Sequence, residues 1–171
     1  MSKTLTRVAA TVVAALLAMV AMLSVASAAQ AAIYQGKTEQ NKNATLQVRN
    51  NDGVPTRFVI AWETSNCKNG ATYRDKTTFD GFKNADNNSL SSRGSYSTKS
   101  EGGFKSKVKV NVNGSRQGQK RWKGTFTARV TVKRNGQQVD RCKLRGDSWS
   151  VKRKGGSGGG KVAIANRGYQ A

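Results

Sequence analysis

Acid–base chemistry in this chain would have to come from carboxylates, because its 171 residues include no histidine. Without imidazole, the usual Ser-His and Cys-His nucleophile systems and the commonest metal ligand are missing. Hydrolysis by two carboxylates flanking a scissile bond stays open. The pair to consider is Glu63, beside Trp62, and Asp147, two residues before Trp149. They would have to share a cleft; otherwise each simply neutralises neighbouring cations. The acids Asp52, Asp75, Asp80, Asp86, Glu101 and Asp140 fall in loop-like or strand-end contexts. Asp80 and Asp86, with Asn84, Asn87 and Asn88, offer the oxygen ligands that a hard cation such as calcium favours. Their spacing fits no calcium loop, so a solvated turn is the expectation. "GGSGGGK" (155–161) ends like a phosphate-binding loop but lacks a hydroxyl residue after the lysine and a helix to follow. These residues point to no catalytic group, metal or cofactor.

The cations are the stronger signal. Lysine and arginine number 30 against 9 acids, a formal charge of +21. They are unevenly placed: residues 32–98 hold nine cations and six acids, whereas residues 99–161 hold eighteen cations and three acids. In "KSKVKVNV" (105–112) a cation or polar residue alternates with an apolar one. Alternation of that kind is the period of a half-buried strand. Phe104, Ser106, Val108, Val110 and Val112 share one face, and Lys105, Lys107 and Lys109 the other. The next strand turns Trp122, Phe126, Ala128, Val130 and Val132 inward, leaving Lys123, Arg129 and Lys133 outside. The last turns Cys142 and Leu144 inward and Lys143 and Arg145 outward. If these three strands are adjacent, the outer residues make a continuous cationic sheet of roughly 15 by 20 Å. A basic cluster, Lys152, Arg153 and Lys154, follows. A single strand of this kind needs no function, since a solvated face is polar and lysine protects edges. Across three strands, like charges directly opposite destabilise the sheet, and interleaved acids would give the same solubility. The pattern therefore predicts a binding face for a polyanion. The aromatics of this half point inward, which argues against base stacking and for non-specific electrostatic contact.

The elements carrying these residues read as all-β. "ATLQVRN" buries Ala44, Leu46 and Val48; "RFVIAWE" (57–63) is apolar on both parities, as a strand covered on both sides would be. Gly94–Thr98 is a short strand, "SEGG" (100–103) a turn, and "NGSRQGQ" a turn between the two lysine-bearing strands. At Asn135-Gly136 a two-residue loop would set Val130 opposite Arg141 and mismatch the faces. A three-residue loop, Asn135 to Gln137, sets Val130 opposite Cys142 and Ala128 opposite Leu144, and is expected because a slip of one residue would expose the apolar set. A bulge at Gly146-Asp147 would return Trp149 and Val151 to the core.

At the N-terminus, Lys3 and Arg7 precede an apolar run from Val8 to Val25 and then small residues, the order of a secretory signal peptide. Cleavage after Ala28 or Ala31 fits; an uncleaved anchor is the competing reading. Residues 1–31 are thus expected to be a signal, 32–154 one antiparallel β domain and 155–171 a Gly-rich flexible tail, with a short late strand at Val162 and Ile164 as the alternative. In an oxidising compartment the two cysteines, Cys67 and Cys142, read as a disulfide rather than a metal site, against the alternative of two buried thiols.

Tyr34-x-Gly36-x-Thr38-x-Gln40, Cys67-x-Asn69-Gly70, Gly124-Thr125-Phe126 and Cys142-x-x-x-Gly146-x-x-Trp149 together resemble small exported β-proteins of actinobacteria. The resemblance implies a single antiparallel β domain with its two cysteines bonded, and brings no assigned activity. The lysine-rich strands lie outside it.

The expectation is a β-sandwich or barrel of about eight strands. It would be secreted or wall-associated, without a membrane span after processing, and act as a non-catalytic binding module. Its partner would be an anionic envelope polymer or anionic lipid surface, with extracellular nucleic acid second. The competing functions are an inhibitor or interaction domain acting through loops, and a hydrolase using Glu63 and Asp147.

Overall fold

The computed structural model describes residues 31–64, 66–155 and 168–170. Nine strands carry the domain: β1 (Ala31–Thr38), β2 (Asn43–Arg49), β3 (Pro55–Thr64), β4 (Thr72–Asp80), β5 (Asn84–Ala85), β6 (Ser89–Lys99), β7 (Phe104–Gln117), β8 (Arg121–Arg134) and β9 (Gln137–Arg153). A three-residue β10 (Gly168–Gln170) pairs with β4. All pairings are antiparallel, in one sheet ordered β10-β4-β3-β2-β1-β9-β8-β7-β6-β5. Among the described residues no helix is long and apolar enough to cross a membrane.

Alternation sets the core. Leu46, Phe58, Ile60, Trp62, Val108, Val112, Trp122, Phe126, Val130 and Val151 point to one face and are buried. The two halves of the sheet fold toward each other over this face. Phe58 of β3 meets Trp149 of β9 at 4.6 Å between centroids, and Trp62 meets Phe126 of β8 at 5.7 Å. Among the described residues the sheet is not closed by backbone pairing. Across the gap, the Tyr96 hydroxyl of β6 donates to Asp75 Oδ2 of β4 at 2.8 Å, and Tyr73 of β4 shares a 3.0 Å bond with Thr98 of β6. Burial is the main influence on both phenols, pushing Tyr73 up to about 12 and Tyr96 higher still, so both stay protonated.

The sequence register is borne out at β8–β9: Val130 faces Cys142 and Ala128 faces Leu144. Its cause differs from expectation. The turn is the two-residue Asn135-Gly136, both with positive φ (51° and 83°), as the mirror-image hairpin turn requires. A shift between Val132 and Lys133, with Val132 opposite Asp140 and Lys133 opposite Gln138, then restores the faces. The expected bulge is present where Phe126 faces Asp147 and Ala128 faces Leu144. Gly146 there has φ 69°, and Trp149 and Val151 return to the core.

Three expectations are corrected. In β3 only the Phe58, Ile60 and Trp62 side is fully buried; Val59 and Ala61 are half-buried, because among the described residues no second layer covers the outer face. "NGSRQGQ" is mostly strand: β7 runs on to Gln117, Gly114 pairs with Gly124, and only its last residues, Gly118 and Gln119, enter the turn to β8. The strand number agrees with the expected eight or so: nine strands carry the domain, β6 lengthens the short strand expected at Gly94–Thr98, and residues 168–170 add β10 on the β4 edge. Asp75 and Asp140 are buried within strands rather than in loops or at strand ends. The signal segment before Ala31 and the rest of the tail, including Val162 and Ile164, lie outside the described residues.

Candidate polyanion-binding face

Outward positions of β6 to β9 form ladder rows that the registers define. One row runs Lys99, Lys105, Lys133; the next carries Lys107 and Arg141; a third runs Lys109, Arg129, Lys143. All eight are exposed. Four pairs of like charge therefore sit directly opposite: Lys99–Lys105, Lys105–Lys133, Lys109–Arg129 and Arg129–Lys143. Arg145, exposed beside the bulge, borders the group.

No interleaved acid relieves this set. Of the acids in β7 to β9, Asp140 and Asp147 are buried. The four ion pairs described lie in the other half of the domain: Lys42–Glu63, Arg74–Glu63, Arg49–Asp52 and Arg57–Asp80.

Sequence reasoning put Lys123 in the same continuous sheet. The structure separates it. On β8, Lys123 lies six residues from Arg129, about 20 Å along a strand, with neutral Thr125 and Thr127 between them on the outer face. Lys123 belongs to a second group at the far end of the strands. Its row runs Ser115, Lys123, Ser150, Lys37, and the adjacent row runs Gln117, Arg121, Lys152, Gln35. Arg153 and Lys154 extend this end of β9 and are exposed. Lys37, Lys99, Arg121 and Arg141 were not among the expected site residues. The parity of Cys142 already turns Arg141 outward, whereas the β1–β9 pairing that brings Lys37 in is visible only in the fold.

The carboxylates of the hydrolase reading do not meet. Glu63 projects from the outer side of β3, where Lys42 Nζ at 2.7 Å and Arg74 Nε at 2.9 Å hold it. Bonding to Lys42 first, and Arg74 second, keeps its carboxyl below the usual range, which unsuits it as a proton donor. Asp147 points the opposite way, into the core. The calcium reading also finds its ligands occupied. Asp86 accepts from the Asn88 and Ser89 amides at 2.7 and 2.6 Å, which lowers its pKa, while Asp80 pairs with Arg57. Cys67 and Cys142 lie with Asp140 in a compact group, but their sulfurs are joined in the disulfide.

Asp147 carries a testable penalty. It is 3 % exposed, and neither carboxylate oxygen makes a well-formed hydrogen bond. The Thr38 hydroxyl and the amides of Gln40 and Glu39 offset this only in part. Desolvation, with a smaller push from Glu39, raises its pKa above 3.8. A carboxyl whose folded value exceeds its unfolded one weakens the fold above the folded pKa, and the penalty fades as pH falls below 3.8. Asp147→Asn should therefore raise the urea midpoint at pH ~7 and lose that advantage at pH ~3. Equal midpoints at neutral pH would show that the carboxylate is satisfied.

A comparison with protein-family models, curated proteins and solved structures finds no match for this chain.

Proposed function

We propose that this protein is an exported, non-catalytic binding module that attaches through the Lys/Arg rows of β7 to β9 to an anionic polymer of the cell envelope. The observation that carries the reading is the direct opposition of like charges across neighbouring strands with no acid between them. Each such pair costs up to ~1 kcal/mol, and a bound polyanion removes that cost. Lysine predominates, and as a flexible point charge it suits phosphate or carboxylate without demanding a forked geometry. Export is supported by the N-terminal charged–apolar–small order, and the disulfide is compatible with it. Ala31 pairs with Arg49 in β1, so cleavage after Ala28 would leave that strand whole.

The test is a salt titration of binding to isolated anionic wall polymer, beside a variant with Lys107, Lys109, Arg129 and Lys143 changed to Gln. For four neutralised charges, a fourfold rise in salt should weaken binding on the order of 50-fold. The variant should lose most binding yet unfold at higher denaturant, since two like-charge pairs are gone. Equal binding by the variant, or binding indifferent to salt, would return these residues to the role of a solvated face and shift attention to the loops.

A further inference from the structure

The Lys/Arg rows make two cationic groups on the outer face of β7 to β9, the second joined by Lys37 of β1. The first centres on Lys107, Lys109, Arg129 and Lys143; the second on Lys37, Arg121, Lys123 and Lys152. In the second group too, like charges oppose directly, Arg121 against Lys152. On β7 and β8 the strip between them is neutral but hydrogen-bonding, and its only cations are the single Arg93 of β6, opposite Asn111, and the single Arg145 in the β9 bulge, at its two margins. Asn111 faces Thr127, Asn113 faces Thr125, and Thr125 faces Ser148. The Thr125 hydroxyl donates to Asn113 Oδ1 at 2.6 Å. The second group borders an open depression walled by Lys37, Lys123, Thr125, Ser148 and Ser150, with Glu39 the one acid on its lining.

We infer that the two groups are the ends of one bipartite track, and that the partner is a single linear polyanion long enough to bridge them, rather than a small anion. The inference rests on the polyanion reading of this face. Six residues of extended strand separate Lys123 from Arg129, about 20 Å. A polymer crossing that distance engages both groups, and its second contact forms at a high effective concentration. Bridging of this kind strengthens binding by about a hundredfold or more over either contact alone. A short anion fits either end but reaches only one. The strip's hydroxyl and amide groups accommodate the polymer between its charged contacts without adding a third repulsive cluster. A linear chain can follow the twist of these strands, which a planar lipid surface cannot do.

The probes are tripolyphosphate and long-chain inorganic polyphosphate, measured by titration calorimetry at low salt. Two variants each remove three charges: Lys37, Lys123 and Lys152→Gln in the second group, and Arg57, Lys76 and Lys83→Gln away from both, on or beside β3 and β4. Unfolding curves confirm that both variants fold. The wild type should bind two tripolyphosphates but hold the long chain about a hundredfold tighter or more. In the first variant the tripolyphosphate stoichiometry should fall to one, and the long chain should lose its advantage. The second variant should retain both. If the two variants behave alike, the groups act only through net charge and the track is overturned, while electrostatic binding stands. If neither phosphate binds the wild type, the polyanion reading fails and takes the track with it.

Discussion

Replacing Trp149 with alanine should destabilise the domain by about 3–5 kcal/mol, the cost of a large aromatic truncated in a packed core. The ring is 2 % exposed and packs against Phe58 at 4.6 Å between centroids, tilted by 42°. It also lies over a pair of glycines, Gly114 on β7 and Gly124 on β8, which face each other directly, while Gly124 also faces Trp149. A Cβ on Gly114 would stand 2.5 and 2.7 Å from two atoms of that indole. The glycines therefore exist to admit the ring, and the ring supplies the apolar cover that they lack. A double-mutant cycle separates this account from a generic core lesion. Gly114→Ala should be strongly destabilising in the wild type, by about 1–3 kcal/mol or more from overpacking. In the Trp149→Ala background it should cost less, because the two indole atoms it would strike are gone and only the Lys123 carbonyl oxygen, at 3.0 Å, stays close. Additive penalties in urea unfolding would sink the idea. Gly124→Ala should not be rescued in the same way, since its Cβ would also meet the Asn113 carbonyl oxygen and Gly114 Cα.

Reduction of the Cys67–Cys142 disulfide is the second large effect. The bond closes a separation of 75 residues, and loop-closure entropy alone assigns it about 4 kcal/mol. It also docks the segment after β3 onto β9, a strand that is not a neighbour of β3 in the sheet. Backbone bonds flank it, from the Lys68 amide to the Arg141 carbonyl at 3.0 Å and from the Lys143 amide to the Asn66 carbonyl at 3.1 Å. Thr64 adds a 2.7 Å bond from its hydroxyl to the Lys143 carbonyl. Thermal unfolding with and without a dithiol reductant should show a midpoint lower by roughly 10–20 °C in the reduced form. An unchanged midpoint would mean that these hydrogen bonds hold the segment without the covalent tie. Because Lys143 and Arg141 belong to the cationic rows, the reduced protein should also bind wall polymer more weakly once the segment loosens.

What could be read from the residues was whatever depends on local period. The alternation in β7, β8 and β9 assigns each residue its face directly, since side chains on a strand alternate with period two. That alternation put Val108, Val130 and Cys142 inside and Lys107, Arg129 and Lys143 outside, and it required the bulge at Gly146. The even cysteine pair pointed to the disulfide. The all-β class, the β8–β9 register and the local lysine rows thus followed from the chain alone. The reason for the register did not: a two-residue turn with a compensating shift at Val139 gives the same facing residues as a three-residue loop, and alternation cannot tell them apart.

Tertiary structure decided everything that depends on which strands become neighbours. Only the β1–β9 pairing brings Lys37 to Ser150 and Lys123, and only the full length of β7 and β8 places the neutral Thr125–Thr127 strip between two cationic groups. Sequence spacing showed one sheet of charge where the strands hold two. The placement of the acids is likewise a global outcome. Asp75 and Asp147 occupy inward positions because the folded sheet brings Tyr96 to one and the Thr38–Gln40 segment to the other. Contacts between residues distant along the chain leave no local period behind them, so they are invisible until the strands are in place.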